Sequence, residues 1–268
     1  MKTRIISGIV MVPLVILVYL GSYWLAALCI LIGFMGVKEF FDGFRAKDVH
    51  PSYAIAYAAL FVLYLLHGLT QGEYVLVLGW LAAFIVIGSI YMFDVEKHTP
   101  VDAMATIVGI VYIIFFSYHM MLIDGSGEFR ILIWLTLLTA FGSDIFAYFT
   151  GVFLGKHKMA PHLSPKKTIE GAVGGVIGSA VLCGLFGWFL AKPLFIHCVI
   201  IGLIGSPISM CGDLTASAYK RWMGIKDYGN LIPGHGGIMD RFDSILFTAP
   251  FVYYYIAIVL MHFQLGLG

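Results

Sequence analysis

The stretch Tyr74-Val-Leu-Val-Leu-Gly-Trp-Leu-Ala-Ala-Phe-Ile-Val-Ile-Gly-Ser-Ile-Tyr-Met92 contains no charged side chain. As a helix it is long enough to cross a bilayer core about 30 Å thick, which needs roughly 20 apolar residues. Eight further stretches meet the same requirement: Arg4 to Leu20, Ser22 to Phe41, Ser52 to Leu69, Ala103 to Ile123, Ile131 to Phe153, Ile169 to Leu190, Leu194 to Tyr219, and Phe242 to His262. Backbone groups in lipid must be satisfied internally, and no strand-length alternation suggests a barrel. The expected fold is therefore all-α, a polytopic transmembrane bundle of about nine spans.

Composition agrees. Of 268 residues, 60% are hydrophobic and only 12% are charged, about half the charged share of a soluble domain. Lys2 and Arg4 followed by an apolar run could pass for a secretory signal. A small-x-small cleavage site is lacking and a second apolar stretch follows at once, so the first run reads as a retained span. The short turn around Gly21 then makes a helical hairpin of the first two spans. Cys29, Cys183, Cys198 and Cys211 sit in apolar runs without C-x-x-C spacing and read as small buried hydrophobes.

Net charge is +1, which points to no charged partner and gives no sign of nucleic-acid binding. Placement is more informative. With the N-terminus in the cytoplasm, all sixteen basic residues except Arg130 and Lys192 fall on the cytoplasmic side, as the positive-inside bias requires. This register puts the C-terminus outside and suits a cell inner membrane.

The halves differ. Residues 1–139 read as lipid-facing scaffold helices, with charges in loops and at span ends. Residues 140–268 carry acids within apolar sequence and two polar cytoplasmic loops, Gly155 to Thr168 and Lys220 to Arg241. The chemistry is expected there. No internal repeat of the transporter kind is visible.

Asp144 lies in Ala140-Phe-Gly-Ser-Asp-Ile-Phe-Ala-Tyr148, and Asp213 in Ser209-Met-Cys-Gly-Asp-Leu-Thr-Ala-Ser217. A carboxylate at membrane depth is costly unless paired, hydrated or metal-bound, so each is either functional or a pinned acid joining two helices. Asp213, Ser217, Lys220 and Arg221 follow at i, i+4, i+7 and i+8, on one helical face. A glycine-rich turn ends in Pro233-Gly-His-Gly-Gly237, and Asp240 and Asp243 then share a face at i, i+3. Asp213, Asp240 and Asp243 offer hard oxygens that suit Mg²⁺, which completes its shell with phosphate oxygens and water. Backbone N–H groups of the turn can approach an anion. A solvated turn with snorkelling cations is the bland alternative, and the density of acids, cations, histidine and glycines opposes it.

Lys166 and Lys167, in Ser164-Pro-Lys-Lys-Thr168, either neutralise substrate phosphates or attract anionic lipid headgroups. Thr168 is placed to cap the seventh span. Gly151 with Gly155, and Gly171 with Gly175, form small-xxx-small pairs that favour close helix packing. His67, His119, His197 and His262 are scattered without ligand spacing and read as core or interfacial residues.

The stretch Ser217-x2-Lys220-Arg221-x4-Lys226-Asp227-x5-Pro233-Gly234-His235-Gly236-Gly237-x2-Asp240-Arg241-x-Asp243 closely resembles the signature of the phosphatidate cytidylyltransferases, without a departure. The Ser164 to Thr168 and Asp144 segments resemble that family's upstream blocks; the first hundred residues resemble it only in hydropathy. The resemblance implies transfer of a cytidylyl group from CTP to phosphatidate, giving CDP-diacylglycerol and pyrophosphate with Mg²⁺ and room for a second cation. It implies metal ligation by Asp213 and Asp240, with Asp144 and Asp243 behind them. Lys220, Arg221, Lys226 and Arg241 would bind phosphates, with His235 and the backbone at Gly236 and Gly237. Ser164, Lys166, Lys167, Thr168, Ser217 and Asp227 would complete substrate binding. Phosphatidate stays in the membrane and CTP in water, so the site belongs at the cytoplasmic rim. The glycine-rich faces would also allow a homodimer. Competing readings are a CTP-dependent kinase of a polyprenol-type lipid alcohol and a cation-coupled transporter.

Overall fold

The computed structural model describes residues 13–229 and 236–261. Eight helices among the described residues are long and apolar enough to cross a membrane. We number them α1 (Ser22–Arg45), α2 (Tyr53–Thr70), α3 (Tyr74–Phe93), α4 (Pro100–Asp124), α5 (Gly127–Leu154), α6 (Ile169–Leu190), α7 (Lys192–Met223) and α8 (Met239–Met261). They coincide with eight of the nine expected stretches. Most of the first, Arg4 to Leu20, lies outside the described residues, although 13–20 is helical and breaks at Gly21, where φ is +66°.

Two departures concern the polar connections. The segment Gly155 to Thr168 is not simply a loop: β1 (Lys158–Ala160) and β2 (Ser164–Thr168) pair as an antiparallel hairpin. Hydropathy misses strands this short because three and five residues are too few to show a period. The second loop is shorter than expected. Helix α7 runs on through Lys220 and Arg221 to Met223, and α8 begins at Met239, so Asp240 and Arg241 lie in its first turn. Polar helix ends project beyond the apolar run that marks a span.

The chain divides into two compact units, Met1–Gly125 with Lys220–Phe242, and Ser126–Tyr219 with Asp243–Gly268. In the first unit α1, α2, α3 and α4 pack together around Phe40, Phe41, Tyr112 and Trp80. The start of α4 is fixed by a capping box between Thr99 and Asp102, with Pro100 pre-set for the first turn. Helix α4 widens to π-helical bonding over Ile110–Phe115.

In the second unit, glycines set the packing. Lipid supplies no hydrophobic drive between helices, so small residues that admit close approach do this work. A Cβ on Gly171 would come within 2.8 Å of the Ala147 carbonyl, and one on Gly175 within 2.9 Å of that of Ser143, so both bring α5 and α6 together. A Cβ on Gly202 would meet Ser179 of α6 at 2.7 Å. Polar bonds tie α5 to α7 and α8, Ser143 to Ser206 at 2.8 Å and Thr248 to the Thr136 carbonyl at 3.2 Å.

The histidines behave as core groups: His67 bonds Tyr118, His119 bonds the Phe115 carbonyl, and His197 bonds Tyr255. His262 lies outside the described residues. Cys29, Cys183 and Cys198 are buried as expected, whereas Cys211 is exposed on α7. An apolar thiol on a lipid-crossing helix has no need of protein cover.

Candidate active site

One cluster forms in the second unit, where the hairpin meets the ends of α5 and α6. Thr168 closes β2 and caps α6, its hydroxyl accepting the Gly171 N–H at 3.0 Å, as the sequence predicts. Glu170, in the first turn of α6, ties the hairpin down. Its carboxylate accepts the Lys156 N–H at 3.0 Å and meets His157 Nδ1 at 2.6 Å. Gly151 and Gly171 are flush with one another beside Thr168.

This arrangement leaves a cavity of about 400 Å³ lined by Asp144, Tyr148, Lys158, Lys166, Lys167 and Thr168, with Val152, Met159 and Met210 among its apolar walls. Lys166 is exposed; Lys167 is only 25% exposed and forms an ion pair with Asp213. Its ammonium is shielded from water, and Asp213 engages only part of its three-donor capacity, which leaves donors for an anion. Asp213 also receives the Ser217 hydroxyl at 3.5 Å, on the helical face read from the spacing. Asp144 is exposed, and Ser164, its partner strand position being Ala160, is half-buried. Asp243 is buried, and its Oδ1 accepts the Ser244 N–H at 2.7 Å. Gly212 admits the Asp243 backbone to α7 beside Asp213; a Cβ there would lie 2.6 Å from the Asp243 carbonyl.

The second cluster belongs to the first unit and is built on the turn before α8. Lys220 Nζ lies 2.6 Å from Asp240 Oδ1, and its charge faces the Tyr228 ring at 5.4 Å. Asp240 Oδ2 accepts the N–H groups of Tyr228 at 2.8 Å and Gly237 at 3.0 Å. Gly236, with φ +81°, takes a left-handed conformation that favours glycine. Arg221, Lys226 and Asp227 are exposed, and Arg241 is half-buried. His235 lies outside the described residues.

A third acid enters this cluster from α1. Glu39 is 9% exposed, and its two carboxylate oxygens accept the N–H groups of Ile238 at 3.0 Å and Met239 at 2.9 Å. The first half of the chain is thus not bland: its buried acid reaches the turn. In the sequence Glu39 follows Lys38 and resembles an ordinary charged span end. The only local signal is Gly36, one turn earlier.

The carboxylates differ in their fitness for a metal. Among the described residues no group of three His, Cys, Asp or Glu side chains converges. Magnesium needs few protein carboxylates, however, when phosphates complete its shell. Asp213 fits: it is a hard oxygen donor next to a hydroxyl, and its present partner is a cation. Asp240 has both oxygens engaged, one by Lys220 and one by two amides, so it fits only if Lys220 moves aside.

Helices that span a bilayer, with lysines and acids gathered at a cavity with apolar walls, make a membrane-embedded protein suited to phosphate esters. The profile of the Cytidylyltransferase family matches residues 2–259, and the chain belongs to that family. It is 34% identical to the phosphatidate cytidylyltransferase of Synechocystis sp., covering 96% of this chain and 97% of that one. Proteins of the same name from Staphylococcus epidermidis and Thermotoga maritima are each 30% identical, covering 93% and 94% of this chain.

Proposed function

We infer that the chain transfers a cytidylyl group from CTP to phosphatidate, leaving CDP-diacylglycerol in the membrane and releasing pyrophosphate. The observation that carries this reading is the cavity on α5 and α6, with lysines and apolar walls, in a member of the Cytidylyltransferase family. A diacyl lipid with a phosphate monoester needs both kinds of surface.

The phosphate monoester is itself the nucleophile. Its oxygen bonds to the α-phosphorus of CTP while the bond from that phosphorus to the bridging oxygen breaks, and the electron pair leaves with pyrophosphate. Catalysis then rests on positioning and on cationic charge around the reacting phosphates. Lys166 and Lys167 hold a substrate phosphate, with Ser164, Thr168 and Ser217 as neutral partners. Arg221, Lys226 and Arg241 bind phosphates in the same way, and Lys220 joins them when it moves off Asp240. Asp227, His235 and the backbone of Gly236 and Gly237 complete the set. Asp213 and Asp240 are the proposed Mg²⁺ ligands, with Asp144 and Asp243 as further oxygen donors. When bound, Mg²⁺, alone or with a second cation, supplies positive charge at the phosphate oxygens.

The N-terminus is proposed to be cytoplasmic, with the site at the cytoplasmic rim of the inner membrane and the glycine-rich helix faces open to homodimerisation. Purified protein incubated with CTP, phosphatidate and Mg²⁺ should yield CDP-diacylglycerol and pyrophosphate by mass spectrometry. A phosphorylated lipid alcohol made with release of CDP would replace this reading by the kinase.

A further inference from the structure

Helix α8 begins without a capping side chain on the residues immediately before it. The residues before it are Gly236, Gly237 and Ile238, and none carries an acceptor. The first amides of a helix need one. Glu39 supplies it across a separation of 199 positions, one oxygen to Ile238 and the other to Met239.

The fit is tight on every side. A Cβ on Gly229 would lie 2.6 Å from Glu39 Oε1, and one on Gly237 would collide with the same carboxylate. Gly36 makes room on α1 for Met239, whose sulfur would sit 3.3 Å from a Cβ there. Two of the turn's glycines are therefore small because an acid is pressed against them. The next residue along the helix is Asp240, which holds Tyr228, Gly237 and Lys220. Glu39 thus fixes the amides immediately before Asp240, and Asp240 fixes the turn and the lysine.

We propose that Glu39 is a positioning residue for the reaction: it sets the direction in which Asp240 and Lys220 are presented, without touching substrate itself. This rests on the reading of the chain as a cytidylyltransferase. A cap that served stability alone would affect how much protein folds and leave the turnover of each folded molecule unchanged.

Asp102 provides the control. It is a buried carboxylate of the same unit, 2% exposed, and it caps α4 far from the turn in sequence. Glu39→Gln keeps the shape but sets an amide N–H₂ against a backbone N–H. Asp102→Asn does the same at α4. The expected result for Glu39→Gln, per folded molecule, is a kcat lowered about 10- to 100-fold, the range for groups that orient a metal-ligating side chain such as that proposed for Asp240. KM for phosphatidate should stay within about twofold. Asp102→Asn should lower thermal stability and leave kcat unchanged. Hydrogen–deuterium exchange of the peptide covering 236–243 should quicken in Glu39→Gln.

Wild-type kcat in folded Glu39→Gln, an equal loss in Asp102→Asn, or unchanged exchange of that peptide would each overturn the proposal. Wild-type synthesis of CDP-diacylglycerol tests the reaction itself, and the ratio of variant to wild type tests Glu39. The two failures are therefore distinguishable.

Discussion

Lys220 and Asp240 form an ion pair at 2.6 Å with side chains only 12% and 5% exposed. The pair is supported from below by two backbone amides on Asp240 and from the side by the Tyr228 ring. Breaking one side of a buried pair leaves an uncompensated charge, which costs about 3–5 kcal/mol. Lys220→Met should therefore lower thermal stability sharply, and adding Asp240→Asn should recover part of the loss. Thermal unfolding in detergent checks this; strictly additive losses would show that the two charges are not coupled.

Asp213 is the acid most exposed to a functional test. Asparagine keeps its shape and one oxygen, so Asp213→Asn should remain folded. Turnover should fall about 100-fold or more if the charge supports the reacting phosphates through a bound cation. A magnesium titration is the measurement. Near-normal turnover at limiting Mg²⁺ would remove Asp213 from the site.

Lys166 and Lys167 flank each other in β2 but have different surroundings, so their substitutions should separate. Lys166 is exposed at the cavity, and Lys166→Gln should raise KM for phosphatidate about tenfold by losing a charge-assisted hydrogen bond. Lys167 also neutralises Asp213, so Lys167→Gln should lower kcat as well. The assay is run in detergent with short-chain phosphatidate. If Lys166→Gln has no effect there, its role is attraction to anionic lipid surfaces.

The membrane orientation can be read by labelling single cysteines placed at Asp227, Lys166 and Gly125. The first two should react only from the cytoplasmic side and the last only from outside, as the distribution of lysine and arginine requires. Reaction of Asp227 and Gly125 variants from one side would overturn the proposed topology.

Much of this architecture was legible because lipid imposes a local rule. A span must be apolar over its own length, so Tyr74 to Met92 or Ile169 to Leu190 can be recognised without knowing what lies beside it. The Thr168 cap and the Gly171–Gly175 pair follow from equally local spacing. The hairpin did not show, since its strands of three and five residues are too short to carry a period. Glu39 did not show for a different reason. Its meaning depends on amides that the helical pattern around it cannot reveal, and only the folded chain brings them together. Lys167 is intermediate: a basic loop residue by spacing, and a partner of Asp213 only by folding.

The distance along the chain between Glu39 and Ile238 also sets an order in time. At about 5–20 residues per second, a ribosome takes roughly 10–40 s to add the 199 residues that separate them. Through that interval α1 is already made and its carboxylate has no amides to accept. The acid must keep water or a proton until the last helix starts to form. The turn before α8 is therefore assembled at the end of synthesis, and in a nascent chain that stops short of α8 the Glu39 carboxyl lacks the two amides by which the complete fold holds it.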